Sequence, residues 1–437
     1  MLFRNIDILN EDFSVSHGMD VAIEGAYITS IRPSSEIKDN IDGRVIDGKG
    51  KLLMPGFYNS HTHAPMTLLR GWGENMPLND WLHKKVFPFE NKLIGDDCYH
   101  ATKLSLAESF ANGIVSMSDM YFFCDDIVRA VVESGAKINA SRGIACLDKI
   151  IDFEELQAFQ ESKNLFRDYH DTHDGRIRVT MSMHAEYTST PALIEAVAGL
   201  SSECGAPVHV HVSETLEEHE ECKTRNEGRT PTRVLSDGGL FENGGLAAHC
   251  VWIEDEDADI LLEKGVTICT CPVSNMKLAS GVARVPLLLE KGLNIALGTD
   301  GTASNNNLNF FEEIKLLALS AKVHFNDPTL ITPEQALFAA TRAGALAQGR
   351  LDCGFVKEGF RADLIMLDMN SPALTPVYEI ANSLVYSASN RDIKMTLIDG
   401  MVVYEDGEIP TIDVERTIFE CNKAKTRVLE ELTAGKE

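Results

Sequence analysis

Histidine and aspartate side chains recur at the carboxyl ends of short apolar segments in the middle of the chain. The first segment, FYNSHTH, ends in a His-x-His pair on one strand face, and later segments each end in one histidine or aspartate. Imidazole nitrogen and carboxylate oxygen are the ligand types that suit a divalent first-row metal such as zinc. A lone histidine at a strand end is usually a core residue, whereas this recurrence predicts a metal site. The candidates are His61, His63, His184, His211, His249 and Asp300.

Alternating strands and helices would position these side chains. Short apolar runs predict eight strands, at 57–63, 113–121, 137–143, 176–184, 206–214, 245–250, 265–275 and 294–300. Helix-spaced apolar residues predict helices between most of them, at 96–111, 152–166, 191–204, 255–264, 308–322 and 333–348. Such β/α alternation over roughly 250 residues is typical of an α/β TIM (β/α)8 barrel, whose strand carboxyl ends converge on one mouth. The rival architecture, a doubly wound sheet, would need an early glycine-rich phosphate turn, and the sequence shows none.

The two ends of the chain carry short strands of a different style. Alternating apolar and polar residues predict strands over 21–31 near the start and over 362–369 and 395–408 near the end. Because these two blocks flank the long middle, we predict one small β domain built from both ends.

His209 and His211 compete for one ligand position, because both lie on the same face of the strand predicted at 206–214. His211 lies nearer the carboxyl end, and Glu214 follows just beyond it. We therefore take His211 as the candidate ligand and expect His209 to lie deeper, as a supporting residue.

Five longer motifs stand out along the chain. They are MPGFYNSHTHAPMTLLRG (54–71), HVSET (211–215), AAHC (247–250), CPVSNMKLASG (271–281) and LGTDGTASNNNLN (297–309). Together they resemble the amidohydrolase superfamily. Within the superfamily they resemble the S-adenosylhomocysteine/5'-methylthioadenosine deaminases. The similarity covers nearly the whole chain and includes EGFRADLIMLD (358–368), which is similar to the family's return into its β domain.

This resemblance implies a TIM barrel joined to a small β-sandwich domain formed by both termini. The implied ranges are 1–55 for the first part of the sandwich, 56–358 for the barrel, and 359–437 for the second part with a C-terminal helix. The resemblance also implies one divalent metal, usually Zn²⁺ with Fe²⁺ or Mn²⁺ as alternatives, and a metal-bound water as the nucleophile. The implied ligands are His61, His63, His211 and Asp300.

The same resemblance implies the proton transfers of a hydrolytic deamination at C6 of an adenine ring. Glu214 would act as general acid and base toward ring N1, since a carboxylate beside the metal can carry that proton. Asp300 would accept a proton from the water and pass it to ammonia, and His249 would orient the water. The plain alternatives are a structural aspartate at a strand end and a helix-start acid that the helix dipole favours.

Family positions that contact the substrate fall on Glu90, Arg142, His184, Glu214, Asp300 and Trp81. Glu90 matches a carboxylate that would accept hydrogen bonds from a ribose diol, and Trp81 matches an aromatic on the loop over the site. Some members carry a second arginine soon after the position of Arg142, suited to the amino-acid carboxylate of S-adenosylhomocysteine. Here that segment holds Lys149 and no arginine, which favours 5'-methylthioadenosine or 5'-deoxyadenosine over S-adenosylhomocysteine. Adenosine is a further expected substrate.

Other hydrolases, a scaffold protein and a second zinc fold are alternatives to this function. Guanine, pterin and triazine aminohydrolases or chlorohydrolases share the ligand set and stay open, and so does a non-catalytic scaffold, although a scaffold would have lost ligands. Dinuclear cyclic-amide hydrolases use a modified lysine at the end of the fourth strand, and MSMH (181–184) has none. The cytidine-deaminase zinc fold needs HxE followed by PCxxC, and neither is assembled here.

Charge and composition limit the classes of partner that we expect for this protein. The 437 residues include 40 basic and 66 acidic side chains, a formal net charge of −26, and a polyanion binder needs a basic patch. We therefore expect a small nucleoside substrate, with neither nucleic acid nor membrane as a partner, and leave a homo-oligomer open. Charges interrupt MLFRNIDILNEDF, and no apolar stretch reaches the ~18 residues of a membrane span. With ten scattered cysteines, this predicts a cytoplasmic protein with reduced thiols.

Overall fold

The computed structural model describes residues 1–34, 43–148 and 152–434, and the two ends of the chain contribute eight strands to one sheet. These strands are β1 (Leu2–Leu9), β2 (Val15–Glu24), β3 (Tyr27–Pro33), β4 (Val45–Asp47), β5 (Lys51–Pro55), β15 (Leu364–Asp368), β16 (Ile393–Ile398) and β17 (Met401–Glu405). From edge to edge their order is β17-β16-β15-β5-β1-β2-β3, with β4 paired to β1. Because side chains point to alternate faces along these strands, Phe3, Val21 and Ile28 are fully buried in one hydrophobic core.

Nine short strands from the middle of the chain form two parallel sheets. They are β6 (Phe57–Thr62), β7 (Ile114–Tyr121), β8 (Lys137–Arg142), β9 (Ile177–Val179), β10 (Met181–Ala185), β11 (Val208–Val212), β12 (Gly245–His249), β13 (Val266–Thr270) and β14 (Ile295–Leu297). Their orders are β6-β7-β8-β9 and β10-β11-β12-β13-β14. Backbone bonds join the sheets at both edges, from Thr180 N to Ala140 O and from Asp300 N to His61 O, each 3.0 Å long.

Helices follow most of the parallel strands, which confirms the α/β class. They are α1 (Leu78–Trp81), α2 (Phe87–Glu90), α3 (Gly95–Ala111), α4 (Cys124–Ser134), α5 (Gln157–Tyr169), α6 (Thr172–Gly175), α7 (Pro191–Cys204), α8 (Leu216–Arg225), α9 (Pro231–Asp237), α10 (Asp255–Glu263), α11 (Pro272–Lys277), α12 (Val285–Glu290), α13 (Phe310–Phe325), α14 (Pro333–Ala340), α15 (Arg342–Ala347), α16 (Ile380–Tyr386) and α17 (Val414–Ala434). Short 3₁₀ turns lie at Ala64–Leu69, Phe153–Glu155, Glu186–Thr188, Pro372–Leu374 and Asn390–Asp392, and a π turn at Leu82–Val86. Within the described ranges, no helix combines the length and apolar character that crossing a bilayer requires.

Four predicted elements of the middle of the chain are split or end at least three residues early. One is the strand predicted at 294–300, where β14 covers only Ile295–Leu297. The strand predicted at 176–184 is split at Thr180, where the chain changes partner from β8 to β11. The strand predicted at 265–275 ends at Thr270, because Pro272 suits the first turn of a helix and begins α11. The helix predicted at 333–348 breaks at Thr341, whose φ of −117° and ψ of −88° are not helical.

Candidate metal centre and active site

The carboxyl ends of parallel strands bring five of the predicted residues into one buried group, here called the histidine–carboxylate cluster. Its members are His61, His63, His211, His249 and Asp300. The ligand atoms of His61, His63 and His211 all lie within 4.8 Å of one another, and so do those of His61, His249 and Asp300. Strand ends far apart in the chain therefore meet as a potential metal site.

Hydrogen bonds to one ring nitrogen decide which nitrogen faces the centre of the cluster. His63 Nδ1 donates to Met120 O at 2.6 Å, and His211 Nδ1 donates to His184 O at 2.8 Å. Because a carbonyl only accepts, each neutral ring keeps the lone pair of Nε2 for the centre. The two Nε2 atoms are 3.3 Å apart, and His61 Nε2 is buried without a hydrogen-bond partner. An unpaired buried polar atom is costly, so this donor set fits a bound cation.

His209 supports the cluster from deeper in the core. Its Nε2 lies 2.8 Å from His61 Nδ1, and its side chain is almost completely buried. The contact fixes the orientation of the His61 ring, which is the role that a supporting residue plays behind a metal ligand.

Asp300 stands between the histidines and two hydroxyl groups. Its Oδ1 lies 3.5 Å from His61 Nε2 and 3.3 Å from His63 Nε2. Its Oδ2 accepts hydrogen bonds from Ser274 Oγ at 2.7 Å and Ser304 Oγ at 2.6 Å. Burial alone would raise its pKa, but the adjacent rings of His61 and His63 hold the pKa of Asp300 well below its usual range. The carboxylate is therefore ionised and can serve as a ligand.

Burial and the Asp300 carboxylate act in opposite directions on the first two histidines. Burial dominates at His61 and lowers its pKa to about 3, which leaves the ring neutral as a metal ligand must be. At His63 burial also lowers the pKa, but hydrogen bonding and attraction to Asp300 raise it to about 9. A bound cation would compete with the His63 proton for Nε2, because only the neutral ring coordinates a metal.

Local backbone geometry places the last strand close to the first. A Cβ atom on Gly298 would lie 2.8 Å from both His61 O and Cys269 Sγ, so only glycine permits this approach. Two members of the cluster also have a left-handed backbone: Asp300 has φ +59°, and His249 has φ +69°. Left-handed backbone costs a non-glycine residue about 1 kcal/mol or more, and such strain is characteristic of functional sites.

Glu214 lies beside the histidine–carboxylate cluster and pairs with one of its members, His249. His249 Nδ1 donates to Asn275 Oδ1 at 2.9 Å, and its Nε2 lies 3.7 Å from Glu214 Oε2. Burial raises the pKa of Glu214, so the carboxyl group can hold a proton nearer neutral pH than an exposed glutamate. A capping box between Thr215 and Glu218 begins α8 and fixes the backbone that carries Glu214.

One cavity of about 260 Å³ connects the predicted catalytic and substrate residues. Its lining includes every predicted site residue except His61, which lies just beneath it. These lining residues are His63, Trp81, Glu90, Arg142, His184, His211, Glu214, His249 and Asp300. The fold thus presents the proposed metal ligands and the proposed substrate contacts to the same space.

Glu90 is held by a tyrosine that the sequence analysis did not select. Tyr121 ends β7, and its hydroxyl donates to Glu90 Oε1 at 2.6 Å. Burial raises the pKa of Glu90 to about 7, and this hydrogen bond opposes the rise. The signal that could have identified Tyr121 is its position at a strand end on the same edge as the histidines.

The other three predicted substrate residues are also held in place. Trp81 is buried in α1, with Nε1 donating to Trp72 O at 3.4 Å. His184 Nδ1 lies 3.0 Å from Thr188 Oγ1, and Arg142 forms an ion pair with a glutamate on α5. Lys149, the residue in the segment without a second arginine, lies outside the described residues.

Sequence reasoning also missed the polar residues that support the site. Ser274, Asn275 and Ser304 belong to the motifs CPVSNMKLASG and GTDGTASNN, so their motif membership was the available signal. Their contacts with Asp300 and His249 join different strand ends, and such contacts exist only after the chain has folded.

Comparisons with known proteins agree with the resemblance. The amidohydrolase family profile matches residues 52–403. A 5-methylthioadenosine/S-adenosylhomocysteine deaminase of Dictyoglomus thermophilum is 42% identical over 87% of this chain and 88% of its own. A 5'-deoxyadenosine deaminase of Methanosarcina mazei is 40% identical over 92% of both chains.

Solved structures give the same result for the fold. An adenosine deaminase of Xanthomonas campestris with bound zinc has a TM-score of 0.92 at 28% identity, over 98% of both chains. The atrazine chlorohydrolase of Arthrobacter aurescens has a TM-score of 0.88 at 23% identity over 97% of this chain and 99% of its own, which shows the fold alone. The family profile and the identity to curated relatives show that this chain belongs to the amidohydrolase family.

Proposed function

We propose that this protein catalyses the hydrolytic deamination of adenosine-type nucleosides to inosine-type products and ammonia. The observation that carries the proposal is the single cavity that joins the histidine–carboxylate cluster, Glu214 and Glu90. A metal site and an acid serve the deamination itself, and a diol acceptor in the same space suits the ribose of a nucleoside. The names of relatives about 40% identical over most of the chain support the same activity.

We also propose a finer description of the fold. The backbone bonds at both edges of the parallel sheets support a closed (β/α)8 barrel over 56–358. The shared sheet of β1–β5 and β15–β17 supports a separate β domain from 1–55 and 359–437, the latter including α17. We propose that this sheet folds over into a small β-sandwich.

His61, His63, His211 and Asp300 are proposed to hold one divalent metal, with Zn²⁺ favoured over Fe²⁺ or Mn²⁺. Three imidazoles and one carboxylate are a donor set that zinc accepts, and the Xanthomonas relative was solved with zinc. When bound, such a metal lowers the pKa of a coordinated water towards neutrality. Metal analysis of the purified protein measures both identity and stoichiometry, and no bound metal after supplementation would instead support a non-catalytic scaffold.

Glu214, Asp300 and His249 are proposed to move the protons. Glu214 donates a proton to ring N1 of the adenine, which makes C6 more electrophilic, and its raised pKa suits a general acid. Asp300 takes one proton from the attacking water and passes it to the departing amine, which leaves as ammonia. The second proton of the water returns to Glu214 as the C6 carbonyl forms. His249 orients the water, because Asn275 holds its Nδ1 and leaves Nε2 facing the cavity.

Four side chains are proposed to bind the substrate outside the reacting atoms. Glu90, positioned by Tyr121, accepts hydrogen bonds from the ribose diol when it is ionised. Trp81, Arg142 and His184 complete the walls around the nucleoside. All ten cysteines are free thiols, which supports a location in the reducing cytoplasm.

A substrate panel tests the proposed function. The zinc-loaded protein is incubated with adenosine, 5'-methylthioadenosine, S-adenosylhomocysteine, 5'-deoxyadenosine, guanine and a triazine, with ammonia or chloride release as the readout. We expect turnover of adenine nucleosides. Turnover of guanine or the triazine alone would replace the proposal with the alternative aminohydrolase or chlorohydrolase function.

A further inference from the structure

Much of the cavity wall outside the histidine–carboxylate cluster is apolar. The apolar side chains include Leu78, Leu82, Val86, Phe87, Phe122 and Ala158. Such a wall favours an apolar part of the ligand, because burying a polar group there without a partner costs free energy.

A series of contacts leads from the proposed diol site to Arg142 at the cavity wall. Tyr121, which bonds to Glu90, stacks on Phe122 with ring centroids 4.1 Å apart. The guanidinium of Arg142 lies 6.0 Å from the Phe122 ring. Among the residues that the structure describes, Arg142 is the one arginine or lysine that lines the cavity.

Two of the three guanidinium nitrogens of Arg142 already have partners within the protein. Its Nε donates to Glu161 Oε2 at 2.6 Å, and its Nη1 donates to Gly143 O. The other oxygen of Glu161 accepts from Gln157 Nε2 at 2.8 Å, which fixes the carboxylate on α5. Glu161 lies one turn from the cavity-lining Ala158, so it shares the face of α5 that borders the cavity.

We infer that Glu161 determines which 5' substituent this enzyme accepts. By pairing with Arg142 it occupies the cation that a substrate carboxylate would need, and it repels such a carboxylate by like charge. The enzyme therefore prefers adenine nucleosides whose 5' substituent is uncharged and small or apolar, such as methylthio or hydrogen. Substituents that carry an amino acid are disfavoured. This inference rests on the proposed function and names the substrate class within it.

Steady-state kinetics with two nucleosides test the inference. For the unmodified enzyme, kcat/KM should be at least about ten-fold higher for 5'-methylthioadenosine than for S-adenosylhomocysteine, as expected for losing a charge-assisted hydrogen bond. Glu161→Gln removes the competing charge, so the ratio of the two kcat/KM values should shift about ten-fold towards S-adenosylhomocysteine. Calorimetric binding of the two deaminated products should shift in the same direction.

Two further variants identify the cause of the shift. Asp168→Asn removes an exposed acid from the same helix, where it pairs with Arg167, and should leave the ratio unchanged. Adding Arg142→Ala to Glu161→Gln should return the ratio towards that of the unmodified enzyme, because the freed cation is gone. An unmodified enzyme that prefers S-adenosylhomocysteine, or a ratio that Glu161→Gln does not move, overturns this inference alone. Turnover of neither nucleoside overturns the proposed function and this inference together.

Discussion

Two buried groups of charged side chains lie at opposite ends of the parallel strands, and they differ in how completely they are paired. The histidine–carboxylate cluster at the carboxyl ends leaves His61 Nε2 without a partner and exposes Asp300 to the cavity. At the amino ends, a second group, here called the lysine–carboxylate cluster, consists of Tyr58, Lys137, Asp363, Asp399 and Arg361.

Every charged atom of the lysine–carboxylate cluster that faces the core has a partner. Lys137 Nζ donates to both oxygens of Asp363, at 2.7 and 2.6 Å, and to Asp399 Oδ1 at 2.6 Å. Tyr58 OH donates to Asp363 Oδ2 at 2.8 Å, and Arg361 Nη1 donates to Asp399 Oδ1 at 2.9 Å. This group joins β6 and β8 to the segment before β15, so it stabilises the contact between the parallel strands and the terminal sheet.

The difference shows where chemistry and where stability reside in this molecule. A buried charge that is fully paired lowers the energy of one arrangement and offers nothing to a ligand. A buried donor set with an unpaired atom and an adjoining cavity costs stability, and a ligand can recover that cost. Substitutions in the two clusters should therefore separate activity from stability.

The largest expected effect is on activity, at Asp300. Asp300→Ala removes a proposed ligand and proton acceptor, so kcat/KM should fall about 10⁴-fold, or ~5 kcal/mol of transition-state stabilisation. Ammonia release and metal content measure the change, and the circular dichroism spectrum should stay that of a folded protein. Asp259→Ala, which removes an exposed carboxylate paired with Lys291, is the control and should change neither quantity. A variant that keeps a tenth of the activity would contradict the assignment.

Glu214→Gln should separate catalysis from metal binding within the same region. The amide cannot donate a proton to ring N1, so kcat should fall about 10³-fold while metal content stays the same. Glu217→Gln changes an exposed neighbour at the start of α8 and serves as the matched control. Near-normal turnover of the Glu214 variant would remove this residue from the proton transfers.

Asp363→Asn should affect stability instead of chemistry. Removing one of the two carboxylates that bind Lys137 leaves the buried lysine only partly compensated by Asp399, so the free energy of unfolding should fall by about 3 kcal/mol in denaturant titration. Activity per folded molecule should stay within about two-fold, because the cavity does not touch this cluster. Glu408→Gln, at an exposed position near the end of the terminal sheet, is the control. If Asp363→Asn lost metal but kept its free energy of unfolding, the two clusters would not separate activity from stability.

The same carboxylate should give the protein an acid-sensitive contribution to stability. Burial would raise its pKa, but Lys137 holds the pKa of Asp363 below its usual range. Such a group stabilises the fold above its unfolded pKa, and this contribution is lost as the pH falls through the lower folded value. Unfolding measured below about pH 4 should therefore show a steeper loss of stability in the unmodified protein than in Asp363→Asn.

The smallest expected effect concerns Tyr121. Tyr121→Phe removes the hydrogen bond that opposes the raised pKa of Glu90, which burial has brought to about 7. More of Glu90 would then be protonated at pH 7, and a protonated carboxyl group accepts the ribose diol less well. KM should rise about ten-fold at pH 7 and less above pH 8, with kcat nearly unchanged. A ten-fold fall of kcat with an unaltered KM would show that Tyr121 does not act in substrate binding.

Much of the molecule could be predicted from local sequence. Apolar runs predicted the parallel strands near their observed bounds, and the family motifs predicted membership of the amidohydrolase family, which the comparisons confirm. The misplaced bound at Thr180 arises where tertiary contacts override a continuous apolar pattern, whereas the end of β13 at Thr270 has a local cause, since Pro272 begins α11. At Thr180 the strand switches hydrogen-bonding partner without any change in residue type.

Residue type and the alternation of strands are local properties, so the sequence shows which side chains are available and that they stand at strand ends. Folding selects the nitrogen of each histidine that faces the cluster, since the carbonyls of Met120 and His184 come from other strands. It also decided that Glu161 pairs with Arg142 and that Asp363 pairs with Lys137. These pairs join residues from 19 to 226 positions apart, and only the packing of the strands and helices brings them within hydrogen-bonding distance.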